Sequence, residues 1–233
     1  MKGSLRSALL VFALALALPS CDRSAKTPPA REWPEGTAFA VGDVPISRAD
    51  LEDVADSLAL VNQIHTRRSQ RRAALNAQLL PRAAARAAAG EQVEVAHAEA
   101  VVGLAILRGE VEGQTPYVFT RSGYSTDLGF DLWSRARVVE LDTWVGPFEG
   151  VGNWFVLRVL ERGIFPDEDT EHALIDAETG LLSYSYRIEW AEWSFVGPNW
   201  TEDHAFGTLM KHGVVAVQSE LKDLIPFTFQ KEQ

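Results

Sequence analysis

The chain has 233 residues, of which 46% are hydrophobic, so it is long enough to bury the core of one compact domain or of two small ones. Its formal net charge of −10 at pH 7 argues against nucleic acid as the main partner. The sequence contains a single cysteine, which excludes an intramolecular disulfide.

The first 20 residues have the composition of a secretion signal. Lys2 and Arg6 come before an apolar run at residues 8–18, which is too short to cross a bilayer. Leu18-Pro19-Ser20-Cys21 then resembles a bacterial lipobox. This resemblance implies that Cys21 is lipidated and that the protein is anchored in the cell envelope, facing the periplasm. The alternative is an ordinary signal peptide or a fortuitous apolar start, with Cys21 a spare thiol.

A linker and a helical module are predicted to follow. Residues 21–37 are polar and contain several prolines, which is typical of a linker. In residues 38–90 a short strand leads into a helix, with Ser47 as the expected N-cap and Asp50 at the third helical position. An alanine-rich second helix is predicted to kink or split at Pro81, because proline lacks the backbone donor of a helix interior.

A cluster of arginines lies at the beginning of the second helix. Its members are Arg67, Arg68, Arg71 and Arg72. No aromatic residues interleave with them, and the chain is acidic overall, so a nucleic-acid site is not favoured. We interpret the cluster as a solvated helix face or linker, or as a contact with anionic lipid headgroups.

A third helix and a β-hairpin are predicted next. The helix covers residues 91–107, and His97 lies on its apolar stripe, where we interpret it as a packing residue rather than a ligand. The hairpin has strands at 144–148 and 154–161 joined by a glycine-rich turn. Gly146-Pro147 confines the first strand to a sheet edge or a strand start, where a missing donor is tolerated.

Three short motifs follow one another in this region. They are Asp127-Leu128-Gly129-Phe130, then Gly146-Pro147-Phe148, then Asn153-Trp154-Phe155-Val156-Leu157-Arg158-Val159, which closes on Arg162. Their order resembles the C-terminal half of a parvulin-type peptidyl-prolyl isomerase domain. Residues 41–51 also resemble the beginning of the N-terminal chaperone module in SurA-like periplasmic isomerases.

The resemblance implies an α+β fold with a particular division of the chain. A helical N-terminal module would occupy residues 38–90, and a degenerate parvulin-like domain, a small antiparallel sheet with flanking helices, residues 91–165. A C-terminal extension of strands and a helix would complete the chain at residues 166–233. Within it, residues 181–195 predict a long strand. We hypothesise that residues 187–190 take the place of the family's first strand, which this chain lacks.

The resemblance also implies a function. The protein would bind unfolded or proline-containing client chains in an apolar pocket, with no cofactor, no metal and no nucleic acid. The residues expected to bind the client are Leu128, Phe130, Phe148, Trp154 and Phe155. The family's final-strand histidine falls on Phe155, so the implied isomerase activity is weak or absent, and the catalytic residues are unassigned.

Two other interpretations remain open. One is a non-catalytic structural or assembly lipoprotein that binds one fixed partner. The other is an isomerase whose active groups, His172 or His204, come from the C-terminal extension. An acidic loop at residues 166–169, next to Glu171 and His172, is interpreted as a solvated turn, because its spacing fits no common metal cage.

Overall fold

The computed structural model describes residues 31–60, 66–163 and 185–230. The strands in these ranges are β1 (Thr37–Val41), β2 (Val44–Ser47), β3 (Phe119–Gly123), β4 (Val145–Glu149), β5 (Asn153–Gly163), β6 (Ser185–Ser194) and β7 (Val214–Ala216). The helices are α1 (Arg48–Ala59), α2 (Arg67–Ala74), α3 (Leu80–Ala89), α4 (Gln92–Leu107), α5 (Ser125–Leu128), α6 (Phe130–Ala136) and α7 (Glu202–His212). The predicted α+β class is confirmed, and the strands form two antiparallel sheets.

The first sheet has the strand order β2-β1-β7. All five residues of its central strand β1 are buried, and Phe39 of that strand pairs with Ala216 of β7. Helix α7 packs against α3, so the end of the chain completes the same core as its beginning. Strand β7 has no counterpart among the sequence predictions, and residues 217–224, whose pattern predicts a helix, contain a 3₁₀ helix at Ser219–Leu224.

The first three helices begin and end where local signals favour it. Ser47 caps α1 by accepting a hydrogen bond from the Asp50 backbone at 3.0 Å, as predicted. A π-helical turn at Leu75–Leu79 separates α2 from α3, immediately before Pro81. The backbone of Leu79 and Leu80 is helical, so Pro81 follows the π-helical turn without a break in the helical path, and this turn marks the irregularity that the proline predicts. Gly90 ends α3, with a positive φ of 55°.

The arginine cluster on α2 is paired with carboxylates of other elements. Arg67 contacts Glu52 and Asp56 of α1, and Arg71 contacts Glu52 at 2.8 Å. Arg68 contacts the side-chain carboxylate of Asp223, and Arg72 donates a hydrogen bond to the Asp223 backbone carbonyl. Burial acts to raise the pKa of Glu52, but the hydrogen bonds from Arg71 and Arg67 outweigh it, so the pKa of Glu52 is lowered overall. These pairs fasten α2 to α1 and to the C-terminal turn.

The second sheet has the strand order β3-β6-β5-β4 and contains the predicted hairpin. Phe148 of β4 pairs with Phe155 of β5, and β4 lies at the sheet edge, as expected for a strand with Gly146-Pro147. Strand β6 pairs with β5 over its whole length, next to the hairpin. The outer strand β3, which the sequence analysis did not predict, pairs with β6.

Both faces of this sheet are covered by helices. On one face, Phe155, Leu157 and Ile188 pack beneath α5 and α6 in a core that includes the fully buried Trp133. On the other face, Val156 and Ala191 pack beneath α4. This two-sided burial explains why β5 is apolar at successive positions rather than at alternate ones.

Within the described ranges, every helix is too short or too polar to span a bilayer.

Candidate functional site

A groove of about 330 Å³ lies where the α5–α6 corner, the hairpin turn and β6 meet. We call it the client groove, after the client-binding residues predicted from the sequence. Its lining comes from Ala77, Gln78, Leu128, Gly129, Phe130, Asp131, Leu132, Val151, Asn153, Phe155 and Glu192. Its volume lies at the lower end of the range of about 300–1,000 Å³ that is typical of ligand pockets. It therefore has room for one or two apolar side chains of a bound peptide.

Three of the five predicted client-binding residues line this groove. Leu128 is 6% exposed and Phe155 is 2% exposed, so these two form a well-supported floor, and the half-buried Phe130 forms a wall. Gly129 between Leu128 and Phe130 has a positive φ of 79°, which lets the chain turn sharply from α5 into α6. The sequence thus places both side chains on one corner.

Phe148 supports the groove from behind rather than lining it. Its ring centroid lies 5.7 Å from that of Phe155, and the Arg135 guanidinium lies 5.2 Å from the Phe148 ring centroid. Aromatic and cation–π contacts at these distances hold a ring in place. Phe148 therefore fixes the position of Phe155.

Trp154 lies on the opposite face of the sheet from the client groove. Its indole N–H donates to the Val93 carbonyl of α4 at 3.1 Å, and its ring centroid lies 4.5 Å from that of His97. Because neighbouring residues of a strand point to opposite faces, Trp154 and Phe155 cannot line the same groove. Trp154 instead anchors α4, and His97 is the packing residue that the sequence predicted.

Asp131 organises the polar wall of the groove. One carboxylate oxygen pairs with Arg82 of α3, and the other accepts a hydrogen bond from the Val151 backbone at 3.2 Å. On the far side, the Asn153 amide donates to Glu192 at 3.2 Å. Asp131 thereby ties α3, α6 and the hairpin turn together at the mouth of the groove.

A second charged contact joins the hairpin to α3 nearby. Arg86 donates to one carboxylate oxygen of Glu149 at 3.0 Å, and the other oxygen is buried without a hydrogen-bond partner. Burial raises the pKa of Glu149, and the attraction of Arg86 and Arg82 offsets this only in part. The pKa of Glu149 is therefore shifted in the opposite direction from the pKa of Glu52, which is lowered.

These two carboxylates should change the pH dependence of stability in opposite directions. A lowered folded-state pKa stabilises the fold above the ordinary value of 4.5, and this contribution is lost as pH falls through the folded-state pKa. A raised folded-state pKa stabilises below 4.5, and this contribution is lost as pH rises through the folded-state pKa. We therefore expect Glu52→Gln to lose about 1 kcal/mol of unfolding free energy at neutral pH, with the loss shrinking in acid. The unfolding free energy of Glu149→Gln should rise relative to that of the parent as pH rises.

Urea unfolding of the parent and both variants at about pH 4 and about pH 7 measures this difference. Parallel pH profiles for the two glutamine variants would contradict the assigned directions.

The groove combines apolar side chains with a small set of polar ones. Its lining residues include no histidine, cysteine or serine, and its polar side chains are two carboxylates and two amides. Of the two histidines considered as active groups, His172 lies outside the described residues. His204 lies on α7, with its ring against Trp200 and its Nδ1 within 2.8 Å of the Thr201 hydroxyl, and it does not line the groove.

The polar half of the lining was not among the residues predicted from the sequence. Asp131 could have been predicted as a lining residue, since it follows Phe130 directly. It lies in the first turn of α6, where the helix dipole stabilises acidic side chains. Gln78 and Glu192 carried no local signal, because each reaches the groove only through packing of distant elements.

The chain was compared with family models, with curated proteins and with solved structures, and nothing matched. The fold is therefore described as α+β with two antiparallel sheets, and the groove as one with a mixed apolar and polar lining.

Proposed function

We propose that the protein is a lipid-anchored lipoprotein of the bacterial cell envelope that binds unfolded or proline-containing client chains in the client groove. The proposal keeps the resemblance to parvulin-type and SurA-like isomerases, with weak or absent isomerase activity. Cys21, the lipidation site in this proposal, lies outside the described residues.

The observation that carries the proposal is the assembly of the groove from separate motifs. Leu128 and Phe130 come from the Asp-Leu-Gly-Phe motif, and Phe155 comes from the final strand of the hairpin, 25 or more positions later in the sequence. These side chains meet at one groove although nothing in their local sequence requires it. The pairing of β6 with β5 adds support, since it fills the place next to the final strand.

The polar groups of the client groove, and a phenylalanine at the position where the family has a histidine, support client binding over catalysis. Rotation about a prolyl bond must overcome a barrier of roughly 18–20 kcal/mol, which a catalyst lowers by stabilising the twisted amide with fixed polar groups. In this groove Asp131 is already occupied by Arg82 and the Val151 backbone. Phe155 stands where the family has histidine, so its ring offers apolar contact in place of a hydrogen bond.

An aggregation assay tests the binding function. The full-length protein should slow the aggregation of two unrelated unfolded clients, and Phe130→Ala should remove most of this effect because it opens the groove wall. Phe227→Ala is the matched control, since that phenylalanine is 90% exposed and lies outside the groove. A proline-peptide isomerisation assay should show little or no acceleration.

Three outcomes would contradict the proposal in different ways. Equal loss in Phe130→Ala and Phe227→Ala would discard the groove as the client site. Capture of a single stoichiometric partner without any effect on aggregation would favour the assembly lipoprotein instead. Membrane association that survives Cys21→Ser would contradict anchoring through a lipid on Cys21.

A further inference from the structure

Helix α4 has apolar residues on its outer face as well as on its buried face. Val93, Ala96, Ala100 and Leu104 are buried against the second sheet and α3. Val95, Val101 and Val102 are 46–54% exposed, although the outer face of a surface helix is normally polar. Among the described residues, nothing covers this outer face.

One part of this face lines a groove of about 490 Å³, which we call the α4 groove. Its walls are α4 from Ala98 to Ile106 and the segment 114–117, and its floor includes Trp193 of β6. Trp193 reaches the floor because Gly103 has no side chain to block it: an added Cβ would lie 2.6 Å from Trp193 Cη2. The α4 groove therefore lies on the opposite face of the sheet from the client groove.

Tyr117 gives the α4 groove a pre-positioned aromatic wall. Its side chain is 77% exposed, and its ring centroid lies 4.7 Å from that of Phe119 in an edge-to-face contact. Phe119 stacks in turn on Trp190 at 5.1 Å. An exposed aromatic ring held by a ladder of this kind loses little freedom on binding, which is typical of interface anchors.

The charge around the α4 groove is acidic. Glu99 is the charged residue that lines it, and the stretch from residue 92 to residue 117 has four acidic residues and one basic residue. That basic residue, Arg108, donates to the Trp144 carbonyl at 3.0 and 2.8 Å and lies 3.8 Å from Glu110. The carboxylate of Glu99 is exposed and has room for a cationic partner.

We propose that the α4 groove is a docking site for a short cationic segment of another polypeptide. The segment inserts a large apolar side chain between Val102, Tyr117 and Trp193 and places a lysine or arginine against Glu99. From Ala98 to Ile106 the helix wall is about 12 Å long, which matches about four residues of extended peptide. This site is separate from the proposed client groove and does not depend on it.

Fluorescence anisotropy with two labelled peptides tests the proposal on the full-length protein. In one peptide lysines flank a central pair of leucines, and in its twin each lysine is replaced by glutamate. The lysine peptide should bind more tightly, and added salt should weaken its binding. Glu99→Gln and Val102→Ser should each raise its Kd about fivefold, since each removes one of the two contacts.

Matched controls separate this groove from its surroundings. Val111→Ser changes an exposed valine that does not line the groove and should leave the Kd unchanged, whereas Glu112→Gln, whose exposed carboxylate lies outside the groove, should raise the Kd by less than Glu99→Gln does. Phe130→Ala should also leave the Kd unchanged. Equal binding of the two peptides overturns the proposal, as does equal weakening by Val111→Ser and Val102→Ser. Loss of binding in Phe130→Ala would place the peptide in the client groove and overturns it too.

Discussion

Replacing Gly103 with alanine will destabilise the protein by about 2 kcal/mol. Gly103 lies within α4, where alanine would ordinarily stabilise the helix by about 1 kcal/mol. Here the new Cβ would overlap Trp193 Cζ2 and Cη2 in the floor of the α4 groove. The indole must move off the helix, and overpacking against a ring costs about 3 kcal/mol, at the upper end of the usual range, so a net loss of about 2 kcal/mol remains after the propensity gain.

Gly207 of α7 provides the matched control. It is also a glycine inside a helix, but it is exposed, and an added Cβ would meet no atom within 4 Å. Gly207→Ala should therefore stabilise the protein by about 0.5–1 kcal/mol. Urea unfolding followed by circular dichroism compares the two variants with the parent. If both alanine variants shift the midpoint in the same direction, the packing of Trp193 on Gly103 is not as described.

The hairpin was predictable from the sequence because its signals are local. Pro147 indicates the edge strand, glycines at residues 150 and 152 indicate the turn, and the continuous apolar run of β5 matches its burial on both faces. The Ser47 cap was predictable for the same reason, since its partner Asp50 lies only three positions away.

The first sheet was not predictable in the same way. Strand β7 has three residues, and it forms because Phe39 and its neighbours in β1 need a partner on their open side. Strand β3 is a similar case, although the run of aromatic and β-branched residues at 117–120 carried a strand signal that the sequence analysis did not use.

The position of Trp154 could not be predicted from the strand alone, because it also depends on which face of the sheet carries the groove. The strand itself was predicted correctly, but both Trp154 and Phe155 were assigned to client binding although they point to opposite faces. Which face carries the groove depends on α4 covering one side and on the α5–α6 corner leaving space on the other. That arrangement is tertiary, and no local pattern in β5 encodes it.

Asp131→Ala should destabilise the protein by about 3 kcal/mol, because it removes the carboxylate that forms the ion pair with the buried Arg82 guanidinium and leaves only the more distant Glu149 to attract it. The Arg82 side chain is 12% exposed, and its Nε already lacks a hydrogen-bond partner. Removing one member of a buried ion pair destabilises a protein far more than the intact pair stabilises it, because the remaining charge is buried without its partner. The same substitution frees the Val151 backbone, so the hairpin turn at the mouth of the client groove loses its support.

Asp53→Ala is the control for this prediction. Asp53 is 66% exposed and lies 3.8 Å from Arg135, so its loss should change the unfolding free energy by less than about 0.5 kcal/mol. A double variant, Arg82→Met with Asp131→Asn, should recover part of the loss, because no buried charge remains unpaired. Thermal or urea unfolding of the parent, Arg82→Met, Asp131→Asn and the double variant measures the coupling, and Asp131→Ala and Asp53→Ala are compared with the parent in the same assay. Additive losses in the double variant would mean that Arg82 and Asp131 stabilise the α3–α6 contact independently, contrary to the buried pair inferred here.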